Sequence, residues 1–461
     1  MFNKKIFLVF FFAFFIRLIA LNQSLWLDEA VTANVVRNFR FSQIISGFSP
    51  NDFHPPLYYL FMKLWTNFFG YSEIALRMPS VLFSLMTGWV IYLIGGIWAA
   101  VFFLFNPLII YYSQEARMYM MATFFLTGGL YYFLKSQKLE VKSQKYNSKF
   151  KSLLLMNIFF TAAFFSFYGS IFLIATIFVY LLYKKQYKTF LVSCFMFLIS
   201  FAFISPLIYK QLVNSRIALS TVTNWSLVLG KANVKNLLLI PIKFSVGRIS
   251  FYPKWVYWTV AGIWTGFVFF TIKTVLNKTV FIKTVFYLLI FPLVLGFLVS
   301  FFIPTLQYFR FIYLIPIMTI LLSLNKNTSM YPTPLKLRRA SRYIVIIGFV
   351  VFSLTYLLLP QFHREDWKSL VKNLPKDKPI YMIISSSDPI QYYSNDLRIK
   401  ELTLLRQGYG GQSELEKEII IIPYTADIYG YDYKKNLSKS GYQQKEVKNF
   451  RELSFEIWRR R

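Results

Sequence analysis

The sequence is short of cysteine, histidine and acidic residues. Its single cysteine, Cys194, excludes an intramolecular disulfide, and its two histidines leave no closely spaced histidine and cysteine motif of the zinc-binding kind. Only 15% of the 461 residues are charged, and 51 lysines and arginines face 20 acidic residues. Because a soluble domain needs a largely polar surface, this composition excludes one for most of the chain.

Apolar and aromatic residues are abundant instead, at 56% and 20% of the chain. A helix needs roughly 17 to 25 apolar residues to cross a bilayer, and about eleven runs approach this length. The sequence therefore predicts an α-helical polytopic membrane protein. The candidate spans are 5–21, 79–95, 97–112, 118–134, 153–167, 169–183, 189–209, 255–272, 284–302, 309–324 and 343–360.

The run 57–69 is short and carries Lys63, so we predict an interfacial amphipathic helix there rather than a span. Basic residues then gather in the segments predicted to be cytoplasmic, in agreement with the positive-inside rule. This places the first external loop at 22–78. It also argues against nucleic acid as a partner, since the excess charge is explained by the loops. The predicted cytoplasmic segments are 135–152, 184–188, 273–283 and 325–342.

The last hundred residues differ in character, since 14 of the 20 acidic residues lie beyond residue 360. Short β-type runs alternate there with helical patterns, which predicts a small extracytoplasmic α/β domain at 361–461 after a membrane domain at 1–360. The segment 406–414 is expected to be a loop. The β-type runs are 380–385, 399–405, 418–424 and 452–458, and the helical patterns are 364–374 and 432–441.

Five of the six acids in the membrane part, all but Glu140, fall in segments predicted to face the outside, and four such segments stand out. A carboxylate near hydrocarbon is costly, so each is a candidate functional residue. The segments are LWLDEAVTA (25–33), DFHPPLYYLFMKLW with GYSEIALRMPS (52–65 and 70–80), NPLIIYYSQEARMYM (106–120) and LQYFRFIYLIP (306–316).

In this order, with REDW (364–367) after the last span, the segments resemble the GT-C superfamily of membrane glycosyltransferases. The resemblance is to the branch of the dolichyl-phosphate-mannose protein mannosyltransferases and the bacterial aminoarabinose transferases. It implies transfer of a sugar, with inversion, from a polyprenyl-phosphate donor to an acceptor on the outer face of the plasma membrane. The sequence departs from the family at GGIW (95–98), which replaces a basic loop.

By this resemblance Asp28 is the general base, and Glu115 is the second catalytic carboxylate, which orients the acceptor or binds a metal. A structural ion pair is the alternative for Glu115. Adjacent helical residues point about 100° apart, so Asp28 and Glu29 cannot face one site, and Glu29 is expected to cap the helix or touch the substrate. Arg117 and Arg310 are candidates to bind the leaving phosphate, since an arginine fork suits phosphate. Snorkelling to water is the alternative for both.

The remaining candidates for substrate binding are aromatic residues and a histidine. Tyr119 would share a helical face with Glu115, four residues before it, and Tyr308 precedes Arg310 in the fourth segment. His54 is expected to touch the phosphate or to ligate a metal. No cofactor is required by the chemistry, although a divalent metal remains an option.

Two alternative functions and the choice of acceptor stay open from the sequence. A lipid-sugar flippase or transporter would have as many spans, but should show charged or broken helices at mid-membrane, where Arg17 is nearly alone. A lipid-linked glycan polymerase or ligase would use a basic external loop such as 210–254. The acceptor itself can be a protein, a glycan or a lipid.

Overall fold

A computed structural model describes residues 4–141, 146–222, 224–273, 279–324, 335–394, 396–405 and 416–460. The predicted loop 406–414 and parts of three predicted cytoplasmic loops lie outside these residues. Helices dominate the described part. They are α1 (Lys4–Leu18), α2 (Leu27–Asn38), α3 (Phe41–Gln43), α4 (Leu57–Phe69), α5 (Glu73–Leu104), α6 (Pro107–Ser113), α7 (Tyr119–Val141), α8 (Tyr146–Ser166), α9 (Ile171–Tyr183), α10 (Tyr187–Thr221), α11 (Trp225–Leu229), α12 (Val234–Val246), α13 (Lys254–Lys273), α14 (Val280–Val299), α15 (Ile315–Ser323), α16 (Leu335–Leu358), α17 (Trp367–Lys372), α18 (Asp388–Tyr393) and α19 (Tyr433–Lys439).

Six helical segments among the described residues are long and apolar enough to cross a membrane, and the chain is an integral membrane protein. Two shorter apolar helices, Tyr168–Tyr183 and Tyr308–Ser323, accompany them. The predicted helical membrane fold is confirmed, whereas the number of about eleven spans stays a prediction. The six segments are Glu73–Leu104, Ser148–Ser166, Tyr187–Thr221, Lys254–Ile272, Val280–Val299 and Ala340–Leu358.

α5 is a helical hairpin rather than one rod. Its backbone leaves the helical region at Gly96, where φ is 75°. The buried guanidinium of Arg17 donates to Ser84 Oγ at 2.9 Å and to the carbonyl of Leu104 at 2.8 Å. In a straight helix these two residues would be about 30 Å apart, so the chain must reverse between them. The reversal lies in the predicted GGIW turn, where a residue without Cβ tolerates the left-handed conformation.

The predicted interfacial helix forms as α4 and is 13 residues long. At 1.5 Å per residue it spans about 20 Å, well short of the hydrocarbon core. Tyr59 and Met62 on one face are buried, whereas Leu64 and Phe68 on the other are exposed. This arrangement is that of a helix lying along an interface.

The end of the helical bundle away from the first loop carries basic residues. Arg342 donates to the carbonyl of Ser323 at 2.8 Å, and Ser323 lies against Gly95 in the α5 reversal. Lys135 lies in the second half of α7, which is about 34 Å long, and Lys184 follows α9. Described residues of the predicted cytoplasmic loops therefore lie at the end of the bundle away from the N-terminus of α7.

The C-terminal residues form a five-stranded sheet in the order β2-β1-β3-β5-β4. β1 pairs in parallel with β2 and β3, whereas β5 pairs antiparallel with β3 and β4. The small sheet domain predicted from the sequence is confirmed. Its boundary at 360 stays a prediction, and α16 ends at Leu358. The strands are β1 (Ile380–Met382), β2 (Ile399–Glu401), β3 (Glu418–Ile421), β4 (Tyr442–Phe450) and β5 (Leu453–Arg460).

This domain packs directly on the loop that precedes α2 and on α2 itself. The backbone N–H of Leu25 donates to the hydroxyl of Tyr393 at 2.9 Å. Asn34 Nδ2 donates to Asp388 Oδ1, also at 2.9 Å. Because α2 carries Asp28 and Glu29, the C-terminal domain holds the helix that presents both carboxylates.

Candidate active site

The two adjacent carboxylates of α2 lie in opposite environments. The side chain of Asp28 is 38% exposed, whereas only 1% of the Glu29 side chain is exposed. The helical twist expected from the sequence accounts for this separation, since neighbouring side chains diverge by about 100°. Only Asp28 is accessible to a substrate.

Glu29 is fully engaged by protein groups. Arg77 donates to both of its oxygens, at 2.8 and 2.6 Å, and the backbone N–H of Ala116 donates at 2.7 Å. The backbone N–H of Trp26 closes a capping box at 3.4 Å. Arg77 also donates to three carbonyls of the 21–24 loop. The predicted contact of Glu29 with substrate stays untested, and the geometry gives it a structural role that joins α2, α5 and the 114–117 turn.

Asp28 faces Arg117, whose Nη2 lies 3.5 Å from Asp28 Oδ2. The Arg117 guanidinium is buried and also contacts the hydroxyl of Tyr59 at 3.5 Å. An exposed carboxylate held by a single long ion pair keeps one oxygen free to take a proton. Arg117 fixes the orientation of that carboxylate.

Asp52 and His54 form a carboxylate–imidazole pair beside Arg117, with 3.3 Å between Asp52 Oδ1 and His54 Nδ1. Burial raises the pKa of Asp52, but His54, Arg117 and the hydroxyl of Tyr59 together hold it below the usual value. Among the described residues no group of three His, Cys, Asp or Glu side chains could hold a metal. A divalent metal here would rest on these two side chains and stays a prediction.

Glu115 lies in a different cluster, formed around the hydroxyl of Tyr111. That hydroxyl donates to Glu115 and accepts from the guanidinium groups of Arg248 and Arg364. Arg364 also donates to Glu115 Oε1 at 3.2 Å and stacks 3.7 Å over the ring of Trp26. Burial raises the pKa of Glu115, although Arg364 opposes this. Two arginines against one carboxylate leave this region cationic, which suits a phosphate.

The residues between Glu115 and Tyr119 form a turn, because α6 ends at Ser113 and α7 begins at Tyr119. The prediction that Glu115 and Tyr119 share one helical face is therefore wrong. The turn sends Glu115 towards Tyr111 and Arg117 towards Asp28, so one short segment supplies both clusters.

Tyr119, Tyr308 and Arg310 border these clusters. The Tyr119 ring packs edge-on against Phe309 at 5.5 Å, and Tyr119 is close enough to Arg310 for electrostatic contact. Tyr308 likewise interacts electrostatically with Arg248. Arg310 donates to the carbonyl of Pro304 at 2.9 Å, which fixes its side chain at the border. The structure thus brings every predicted site residue to one end of the bundle.

Buried polar atoms without a hydrogen-bond partner among the described residues concentrate at this end. Such atoms are rare in folded proteins, and a site that binds polar ligands explains them. They include Trp26 Nε1, Asp52 Oδ2, Glu115 Oε2, Arg117 Nε, Glu365 Oε2 and Trp367 Nε1.

Sequence reasoning missed Arg248, Arg364, Trp26 and Tyr111 as site residues. Arg364 opens the REDW segment, which already carried part of the resemblance, and Arg248 was one of seven basic residues in 210–254. The position of REDW after the last predicted span was the available signal for Arg364. Nothing in the local sequence separates Arg248 from its basic neighbours.

A family model and several solved structures are similar to this chain. A family model described as dolichyl-phosphate-mannose-protein mannosyltransferase matches residues 53–210. No curated protein matches the sequence. The structure of ArnT from Cupriavidus metallidurans is similar in the apo state and when bound to undecaprenyl phosphate. The apo match has 11% identity and a TM-score of 0.58 over 98% of both chains. The bound match has 12% identity and a TM-score of 0.58 over 99% of this chain and 98% of ArnT.

The archaeal oligosaccharyltransferase AglB from Archaeoglobus fulgidus, solved with an inhibitory peptide and a dolichol-phosphate, is also similar. It has 10% identity and a TM-score of 0.54, over 96% of this chain and 73% of AglB. The chain shares its fold with ArnT and with AglB. The family model and these structural matches agree with the resemblance that the sequence segments indicated.

Proposed function

We propose that the protein transfers a sugar from a polyprenyl-phosphate-linked donor to an acceptor on the extracytoplasmic face of the membrane. The observation that carries this proposal is the pairing of an accessible carboxylate with a cationic cluster. Asp28 and Arg117 lie on one side, and Arg248 and Arg364 lie on the other, joined through Trp26. The structure of ArnT bound to undecaprenyl phosphate supports a carrier of this class.

In this reaction the acceptor oxygen attacks the anomeric carbon as its proton passes to Asp28. The bond from that carbon to the phosphate oxygen breaks, and polyprenyl phosphate leaves with the electron pair. A single displacement of this kind inverts the anomeric carbon. Arg248 and Arg364 stabilise the charge that the phosphate gains, and the strength of such contacts in the transition state is what lowers the barrier.

The extracytoplasmic placement is supported by charge. The described basic residues of the predicted cytoplasmic segments, such as Lys135 and Arg342, lie at the other end of long helices from the site. No observation favours a transporter, since the buried Arg17 is held by Ser84 and two carbonyls as a structural residue. A polymerase or ligase would differ in the acceptor that the same site uses.

The test is transfer or release of sugar from a panel of radiolabelled polyprenyl-phosphate sugars by the full-length protein in detergent. We expect Asp28→Asn to lower the rate by about 10² to 10⁴ fold, because a positioned base contributes that much. Asp377→Asn, at an exposed turn of the C-terminal domain, is the matched control and should keep the wild-type rate. Equal rates for Asp28→Asn and wild type would contradict the proposal.

A further inference from the structure

A carboxylate of the C-terminal domain, Glu365, lies beside the site with half of its hydrogen-bonding capacity unused. Only 8% of the residue is exposed. Its Oε1 accepts from the hydroxyl of Tyr424 at 3.3 Å, but its Oε2 is buried without a partner among the described residues. Because an unpaired buried carboxylate oxygen is costly, this atom is suited to accept a hydrogen bond from a bound ligand.

The segment that carries Glu365 runs along the start of α2. The backbone N–H of Lys368 donates to Ser24 Oγ at 3.1 Å, and Arg364 stacks on Trp26. Burial raises the pKa of Tyr424, and the charges of Glu365 and Asp28 raise it further. Tyr424 and Glu365 are therefore neighbours of the proposed base, on the face of the site that the C-terminal domain supplies.

This face is acidic, in contrast to the cationic cluster around Tyr111. Asp388, on helix α18, interacts electrostatically with Asp28, and Glu365 adds a carboxylate beside Tyr424. Three described arginines that reach this region are already engaged, since Arg117 pairs with Asp28, the Arg364 guanidinium contacts Glu115, and Arg451 donates to the carbonyl of Arg364. A phosphate bound here would meet several carboxylates at once, and like charges at such distances repel strongly.

We propose that Glu365 and Tyr424 form an acceptor subsite for a hydroxyl-bearing group that carries no phosphate. The proposal rests on the proposed function and names the acceptor class of the same site. Glu365 accepts a hydrogen bond from one hydroxyl of the acceptor while Asp28 takes the proton of the attacking hydroxyl. A sugar and a hydroxyl-containing peptide share this chemistry, so the experiment has one arm for each source.

The experiment measures transfer by the full-length protein in detergent, from the polyprenyl-phosphate sugar that it uses best. The acceptor probes are a neutral methyl glycoside, a short peptide with serine and threonine, and the phosphorylated counterpart of each. We expect at least one neutral probe to be used, with kcat/KM about tenfold or more above that of its phosphorylated counterpart. The identity of that probe distinguishes a glycan source from a protein source.

Glu365→Gln should raise the KM for the acceptor about tenfold and change the KM for the donor less than twofold. Glu365→Gln should also reduce the ratio of kcat/KM for the neutral probe to kcat/KM for the phosphorylated probe, because the substitution removes a negative charge that repels phosphate. The matched control is Glu446→Gln on the exposed edge strand β4, which should alter neither KM. Tyr424→Phe provides a second variant that keeps the ring and should also raise the KM for the acceptor.

Three results would overturn the acceptor proposal. These are equal or better use of the phosphorylated probes, an acceptor KM for Glu365→Gln equal to that of Glu446→Gln, and Asp28-dependent donor hydrolysis with no transfer to either neutral probe. Failure of the proposed function has a separate signature, because then no donor is consumed in a way that depends on Asp28.

Discussion

Replacing Glu29 with glutamine should destabilise the protein more than replacing its neighbour Asp28 with asparagine. The change keeps the shape of the side chain but leaves the buried charge of Arg77 without a counter-ion. Breaking a buried ion pair by removing one partner costs about 3 to 5 kcal/mol, because the remaining charge stays desolvated. Asp28→Asn breaks a pair at 3.5 Å whose carboxylate is 38% exposed, and the buried Arg117 keeps the neighbouring charge of Asp52, so a smaller cost than for Glu29→Gln is expected.

The assay is thermal unfolding of the purified full-length variants in detergent, followed by tryptophan fluorescence and by the monodisperse fraction in size-exclusion chromatography. Glu29→Gln should unfold at a temperature several degrees below wild type. Asp28→Asn should have an unfolding temperature closer to that of wild type while losing activity. Glu446→Gln is the control for the loss of one exposed acidic side chain. A Glu29→Gln protein as stable as Asp28→Asn would refute the assignment of Glu29 as the structural member of the pair.

Three further sets of variants test other parts of the structure. Arg248→Gln and Arg364→Gln should each lower kcat/KM about 10 to 100 fold, because each loses a charge-assisted hydrogen bond of about 1.5 to 3 kcal/mol. Arg459→Gln, which removes an exposed partner of Glu418, is the control and should keep the wild-type kcat/KM. Equal kcat/KM values for all three variants would exclude phosphate binding by the Arg248 and Arg364 cluster. Burial and the neighbouring Arg248 and Lys254 lower the pKa of Lys243 from 10.5 to about 7, so between these values the unfolded chain binds one more proton and stability rises with pH. The melting temperature of wild type relative to Lys243→Met should therefore rise from pH 7 to pH 10, and a constant or falling difference would contradict the burial of this lysine. Gly96→Ala should lower the free energy of unfolding by about 1 kcal/mol through backbone strain alone, since a Cβ there meets no atom within 4 Å. Gly262→Ala is equally unobstructed but lies within α13, so it should be neutral or stabilising. Equal melting temperatures for the two variants would contradict the positive φ at Gly96.

Local periodicity was enough to predict many elements of the fold. The interfacial helix α4 and the turn at Gly96 followed from run length and glycine placement. Strand β4 was missed because it is an edge strand whose residues from Gln443 to Asn449 are exposed, so it lacks the alternation that marks a half-buried strand. Its pairing with β5 is a tertiary property.

For the candidate site, the sequence predicted the divergence of Asp28 and Glu29 because helical twist is local. It did not predict that Arg248 and Arg364 meet at Tyr111, since those three residues come together only when α6, the loop after α12 and the segment after α16 pack at one end of the bundle. It also extended a helix across the turn after Ser113, where the chain instead divides its acid and its arginine between two clusters.

In the proposed function, a lipid-linked phosphate binds at the Arg248 and Arg364 cluster, across from the Asp28 carboxylate. An electron cryo-microscopy map of the full-length protein with a polyprenyl phosphate tests it most directly. We expect phosphate density in contact with both guanidinium groups, at the same end of the bundle as Asp28. Phosphate density at the opposite, lysine-rich end, or bound by neither arginine, would contradict it.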